Sequence, residues 1–290
     1  MRVIFLIAFY VFAIPFLYGQ DTTSTTSSLL WEISGKKVKS PSYLFGTMHL
    51  ISADKFYYPE HLEEKLINSD ILIMEIGGLQ DQMEMMSKLF IEEGNLFDHF
   101  TEEQTDSLMV FMNKHFNYTE NQVRTMFGGL KPIALMQVFS NLTFGETPKS
   151  YELSLESTAK KNEIAIKGLE TVEEQAAIFD SISMKTQIEM VMSIVADIDK
   201  SIKETKELEE KYLSQDIDAI YKMIMEDSSG ITNYENELLI NRNIKWVPMI
   251  KKEIRKNKSF IAVGSGHLGG EKGLINLLRE EGYTLTPIKF

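Results

Sequence analysis

The short apolar runs that could form strands lie mainly toward the two ends of this 290-residue chain, with a helical pattern between them. SLLWEISGKK, SYLFGTMHL and DILIMEIGG fall between Ser28 and Gly78, whereas SFIAVGSG and YTLTPIKF fall after Lys258; EIAIKGLET stands alone in the middle. Runs this short, bounded by glycine and lysine turns, read as strands rather than helices. Buried strands need partners for their N–H and C=O groups, so the two ends must meet in one sheet. The expected fold is α/β (α+β): a central mixed β-sheet built from both ends of the chain. Helical blocks over about 81–149 and 173–256 pack on it or cap it. Shorter helices are expected over about Asp54–Asn68 and in EKGLINLLREEG.

The first residues stand apart. MRVIFLIAFYVFAIPFLYGQ has Arg2, an apolar run and then Gly19 before a polar DTTSTTSS tract, the pattern of a secretory signal peptide. The reading is a signal peptide over 1–20, a polar linker over 21–28 and a single domain over 29–290, exported to a periplasmic or extracellular location. Membrane contact is expected only through the N-terminal segment, if it stays uncleaved. The absence of cysteine excludes disulfides, thiolate nucleophiles and thiolate metal ligands. A formal charge of −12 lacks the basic footprint that phosphate backbones require, so no nucleic-acid partner is expected.

FIAVGSGHLGG contains Gly264, Gly266 and Gly269 in G-x-G-x-x-G spacing. A dinucleotide site places that turn early in a βαβ unit, with an acid about 20 residues further on. Here the chain ends at Phe290 and its last strand carries no such acid. The turn reads instead as one that presents His267, glycines allowing close approach of a ligand or second backbone. His49 sits in the same arrangement: LFGTMH and AVGSGH both end a strand with Gly-x-x-His. If these strands are neighbours, the two imidazoles converge on one rim. Glu75 ends the apolar run ILIM, and a carboxylate emerging there needs a cation, a metal or strong donors. Two imidazoles and a carboxylate form a plausible hydrolytic site for zinc, manganese or cobalt, although no H-E-x-x-H signature is present.

SYLFGTMHL, ILIMEIGG, SYELSLESTAKKNEIAIKGLET, ELLINRNIKWVPMI and SFIAVGSGHLGGEKGLINLLREEGY resemble, in this order, the TraB/PrgY/GumN family, which includes the Tiki Wnt-inhibiting proteases. The resemblance implies an erythromycin-esterase-like α/β core and, for the Tiki branch, a peptidase needing manganese or cobalt. It makes His49 and His267 the motif histidines, Glu75 the motif acid and Arg242 the arginine of the Asn-Arg-Asn motif. Glu152 stands where many relatives have Asp, and Glu170 matches a Gly-Leu-Glu step. The metal ligands expected on this basis are His49, Glu75 and His267; the catalytic group is Glu75, Arg242, Glu152 and Glu170. Arg242 would hold a substrate carboxylate or a developing oxyanion, while Glu152 and Glu170 would support the site or pair with Arg242. The expected function is an exported metal-dependent hydrolase, a peptidase using a two-His/Glu metal site from the two Gly-x-x-His motifs, with a peptide or small-molecule substrate. The alternatives are a haem- or peptide-signal-binding protein without turnover, or a hydrolase of a non-peptide ester.

Overall fold

The structure is a computed structural model, and it describes residues 27–35, 38–226 and 231–289. The expected signal peptide over 1–20 and most of the linker lie outside the described residues. Ser27 and Ser28, read as the end of that linker, are already bonded into the fold. The Ser28 hydroxyl donates to the Ile288 carbonyl at 2.6 Å, and that of Ser27 to the Gln215 carbonyl at 2.6 Å.

Among the described residues six strands form one sheet: β1 (Leu30–Ser34), β2 (Ser42–Thr47), β3 (Ile71–Met74), β4 (Ala165–Gly168), β5 (Ser259–Gly264) and β6 (Thr284–Ile288). Their order is β4-β3-β5-β2-β1-β6. The sheet is mixed, as expected: β4, β3, β5 and β2 run parallel, and β1 and β6 complete it antiparallel. β2 and β5 are central and buried along almost their whole length, as strands covered on both faces must be. That is why their sequences read as continuous apolar runs rather than alternating ones. The edge strands differ: β6 tolerates Pro287 and β4 is half-exposed, both permitted only at an edge.

Among the described residues two large apolar bodies result, beside a small third cluster of Ile76, Met85, Val172 and Ala176. One surrounds the sheet and includes Phe45, Tyr151, Tyr212, Trp246 and Phe260. The other is purely helical, built from residues 96–139 together with Ile188 and Val191. The helical block between β3 and β4 is broken into Leu79–Ser87, Glu102–Phe116, Glu120–Phe127, Ala134–Phe144 and Tyr151–Lys161. The last of these falls on a stretch not assigned from sequence; Ser150 caps it, accepting from the Leu153 N–H. The helix expected over Asp54–Asn68 is only Glu60–Ile67, because Pro59 holds an extended φ/ψ at its N-cap and delays the first turn. Among the described residues no helix is long and apolar enough to cross a membrane.

Candidate active site at the carboxyl ends of four parallel strands

In open α/β sheets the crevice beyond the carboxyl ends of parallel strands is where ligands collect. Here each of the four parallel strands delivers one titratable side chain to that end. β2 runs into His49, β3 into Glu75, β4 into Glu170 and β5 into His267. The two Gly-x-x-His strands are direct neighbours, Gly46 lying opposite Val263 and Thr47 opposite Gly264. Beyond the last β3–β4 pair the two acids remain tied through their backbones, the Glu170 N–H donating to the Glu75 carbonyl at 2.9 Å.

A helix completes the centre. Asn241–Ile254 presents Arg242, Asn243 and Trp246 to the end of β5, positions that share a face at helical spacing. The Arg242 guanidinium uses all five donors on protein groups. Its Nη2 reaches Glu75 Oε2 at 2.5 Å and Glu170 Oε1 at 2.6 Å, and its Nε reaches Glu170 Oε2 at 3.2 Å. Its Nη1 donates to the Leu238 carbonyl at 2.9 Å and meets His267 Nε2 at 3.2 Å. Leu238 belongs to a π-turn, Asn236–Ile240, just ahead of the helix. The guanidinium also lies 4.6 Å above the Trp246 ring. Arg242 therefore positions Glu75 and Glu170 and has no donor left to hold a substrate.

Asn243 settles the tautomer of His267. Its Nδ2 donates to the carbonyls of Lys272 at 2.9 Å and His267 at 3.3 Å, so its Oδ1 must face the ring. His267 Nδ1 then donates to that oxygen at 2.7 Å, which leaves the Nε2 lone pair to accept from Arg242 Nη1. His49 is held in the same manner from the other side. Its Nδ1 lies 2.8 Å from Glu152 Oε1, and the same oxygen accepts from Thr47 Oγ1 at 2.5 Å. Glu152 is brought there by a two-way bridge between Ile51 and Lys149, three residues before it. It thus pairs with His49, not with Arg242.

The remaining edges of both rings meet over Gly264. A Cβ built on this glycine would stand 3.3 Å from Glu75 Oε1, 3.7 Å from His49 Nε2 and 3.7 Å from His267 Cδ2. The absent side chain is thus what lets the three groups share one space. The Gly264 N–H donates to Glu75 Oε1 at 2.8 Å, and His267 Nε2 lies 3.7 Å from that oxygen. Among the described residues no three His, Asp or Glu side chains stand in a geometry that could hold a metal ion.

Burial would raise the Glu75 carboxyl, but the charges of Arg242 and both histidines and the Gly264 N–H hold it well below the usual carboxylate range. Burial opposes Glu152 likewise, and His49 and Thr47 bring it down. Glu170 is raised, burial and the Glu75 charge outweighing its bonds to Arg242. Burial pushes His267 down to about 3 against the pull of Glu75, consistent with the neutral tautomer that Asn243 selects. The Glu152 charge pushes His49 up to about 9; with 70 % of its side chain exposed, water screens part of that pull.

His49, Glu75, Arg242 and His267 line one wall of a cavity of about 440 Å³ whose other walls include Phe179, Leu208, Ile224, Met225 and Leu239. The glycines after His267 serve this wall. A Cβ on Gly270, whose φ is +80°, would stand 2.5 Å from the Tyr221 ring, and one on Gly266 would stand 2.7 Å from Ile224. The glycine turn therefore admits the helix Ile217–Met225 against the histidine loop. No sequence reasoning pointed to Asn243, Gln175 or Trp246. Asn243 was within reach of it, being the residue beside Arg242 in NRN; Gln175, which donates to Glu170 at 3.0 Å, carries no such signal.

The sequence model of the TraB/PrgY/gumN family matches residues 29–287. No curated protein and no solved structure matches the chain.

Proposed function

The chain belongs to the TraB/PrgY/gumN family, and from that membership and the geometry at the strand ends we propose that it is an exported, metal-dependent hydrolase, with a peptide bond as the leading substrate. One observation carries this reading. Both imidazoles have Nδ1 clamped by an acceptor, Glu152 or Asn243, and both turn their other edge toward Gly264 beside Glu75. Imidazole ligands need such outer partners, which fix tautomer and direction.

In donor type, two imidazole nitrogens and a carboxylate at one wall of a cavity suit a divalent cation such as manganese, cobalt or zinc, and His49, His267 and Glu75 would hold it. His267 Nε2, however, already meets Arg242, and among the described residues no three such side chains stand in holding geometry. When bound, a cation of this kind lowers the pKa of water and polarises a carbonyl. The chain's own groups have separable tasks. Glu75, held ionised by Arg242, is a weak proton acceptor, because a carboxylate far below neutrality has little drive to take a proton; it would serve as charge and, toward a bound cation, as ligand. Glu152 orients His49 at the solvent rim, where substrate arrives. Arg242 supplies the countercharge that lets two buried carboxylates stand side by side, and Trp246 backs both the guanidinium and the His267 ring.

A second reading, binding of haem or a peptide signal without turnover, is favoured by one feature: Arg242 already places a positive charge against Glu75 and His267. The test is metal analysis of the purified protein offered manganese, cobalt and zinc, beside His49→Ala and His267→Ala. About one equivalent of metal in the parent and none in either variant supports the hydrolase, to be followed by peptide and ester screens. A folded parent that takes up no metal rejects it, and binding without turnover then leads.

A further inference from the structure

The cavity at the strand ends adjoins a second, open one of about 490 Å³ among the middle helices, and Leu208 and Ile224 line both. The second compartment is walled by Met136, Phe139, Phe144, Met190 and Ile194. It also carries hydroxyls, but these are turned inward on their own helices. Ser140 donates to the Gln137 carbonyl at 2.6 Å, Thr143 to Ser140 at 3.1 Å, Ser193 to Met190 at 2.7 Å and Ser201 to Asp197 at 3.3 Å. Glu204 and Glu226 face lysines one helical turn away. Thr205 and Glu207 line it as well, so a molecule in this space would meet methyl, methylene and ring surface with exposed carboxylates at its rim. Leu208, Ile224, Met225, Phe179 and Leu239 are all only half-buried, and each lines the first cavity. Apolar side chains left half-wet around a concave site are the surface that an apolar ligand covers.

We infer that the substrate carries an unbranched hydrocarbon tail beside its scissile carbonyl, the head lying among His49, Glu75 and His267 and the tail passing between Leu208 and Ile224 into the helical compartment. This rests on the hydrolase reading for the head group and on the two cavities for the tail. The substrate class is a long-chain acyl ester or acyl amide. Its hydrolysis adds the hydroxyl of water to the acyl carbon, breaks the bond from that carbon to oxygen or nitrogen, and returns the second proton to the departing alcohol or amine. The tail takes no part in that exchange; it sets which substrates are held.

The experiment is calorimetric titration of the metal-free protein with saturated fatty acids from four to fourteen carbons, below their micelle concentrations. Each buried methylene contributes roughly a threefold to fourfold gain in affinity, so affinity is expected to climb through the long chains. Met136→Trp and, separately, Ile194→Trp fill the far compartment without touching the first cavity. Each is expected to leave four- and six-carbon binding in place, which also reports that the variant folds, and to flatten the gain beyond. A native series that stops climbing at six carbons overturns the inference, as do two folded Trp variants that bind every length as the native protein does. Metal uptake is not needed for this readout. A protein that binds no metal but shows the chain-length climb loses the hydrolase reading and keeps the tail compartment; the reverse result loses only the tail. Esters and amides of one chain length then separate the two bond types by turnover.

Discussion

At the scale of single residues, the site is a problem of buried charge. Glu75 and Glu170 keep only 10 % and 2 % of their side chains exposed, and Arg242 only 12 %. Removing one partner of such a cluster leaves uncompensated charge in a place water does not reach, which typically costs about 3–5 kcal/mol. Arg242→Met is expected to lose that much in urea unfolding, and Arg242→Met combined with Glu75→Gln to recover part of it because one orphaned carboxylate is gone. A cost under about 1 kcal/mol for the single variant would contradict the arrangement. Asn243 makes a separate prediction. In the metal-free protein, ¹⁵N NMR should find His267 with its proton on Nδ1 and a bare Nε2, and Asn243→Leu should abolish that preference. Equal tautomer populations in the native protein would mean that Asn243 does not set the ring.

At the scale of elements, the site depends on how helices are fastened to the strand ends. Lys167 in β4 bonds Glu253 near the end of the helix that carries Arg242, at 2.7 Å, so one pair ties the strand leading to Glu170 to the helix facing it. The Lys167 bond lowers the Glu253 carboxyl. A lowered carboxyl contributes stability that is full above its ordinary value of 4.5 and is lost as pH falls through the folded value. With 46 % of the lysine exposed, the pair is worth about 0.5–1 kcal/mol. Glu253→Gln should cost that at pH 7 and nothing once both proteins are measured well below pH 4.5. Glycine substitution tests the other fastening. Gly270→Ala meets both a positive φ and the Tyr221 ring, whereas Gly282→Ala has the same sign of φ with nothing within 4 Å. Backbone strain of about 1–3 kcal/mol is common to both, so the excess cost at Gly270, measured by thermal or urea unfolding, reports how tightly the Ile217–Met225 helix seats on the histidine loop. Equal costs would show that the helix seats loosely.

At the scale of the whole molecule, the two larger apolar bodies among the described residues share one chain. The sheet body is knit by parallel ladders that join residues up to 217 positions apart, β2 to β5. The helical body is assembled mostly from neighbours in sequence. Elements with few long-range ties open at lower free energy than a ladder-bound core. Native-state hydrogen exchange should therefore find amides of Glu102–Phe116 and Glu120–Phe127 released through openings cheaper than those of β2 and β5. Uniform protection across both bodies would mean a single cooperative unit.

How much was legible in the sequence follows from what each signal measures. Strand positions were readable because β2, β3 and β5 are short and covered on both faces, leaving uninterrupted apolar runs that no solvent-facing residue dilutes. That both ends share one sheet followed from the need to pair them. His49, Glu75 and His267 were legible as chemistry emerging from strand ends, and Arg242, Glu152 and Glu170 through the family resemblance. Which acid meets which base was not. Glu152 faces His49 because Ile51 and Lys149 bridge, and Glu170 faces Arg242 because β4 lies at the far edge beside β3; both depend on contacts distant in sequence. The Tyr151–Lys161 helix, the tautomer of His267 and the compartment behind Leu208 and Ile224 are likewise products of packing. Local pattern records which face of an element avoids water, and it carries no record of which other element covers that face. The sequence therefore determined the strands, the acidity and the candidate groups, and the tertiary structure alone decided their partners, their charges and the shape of the space they enclose.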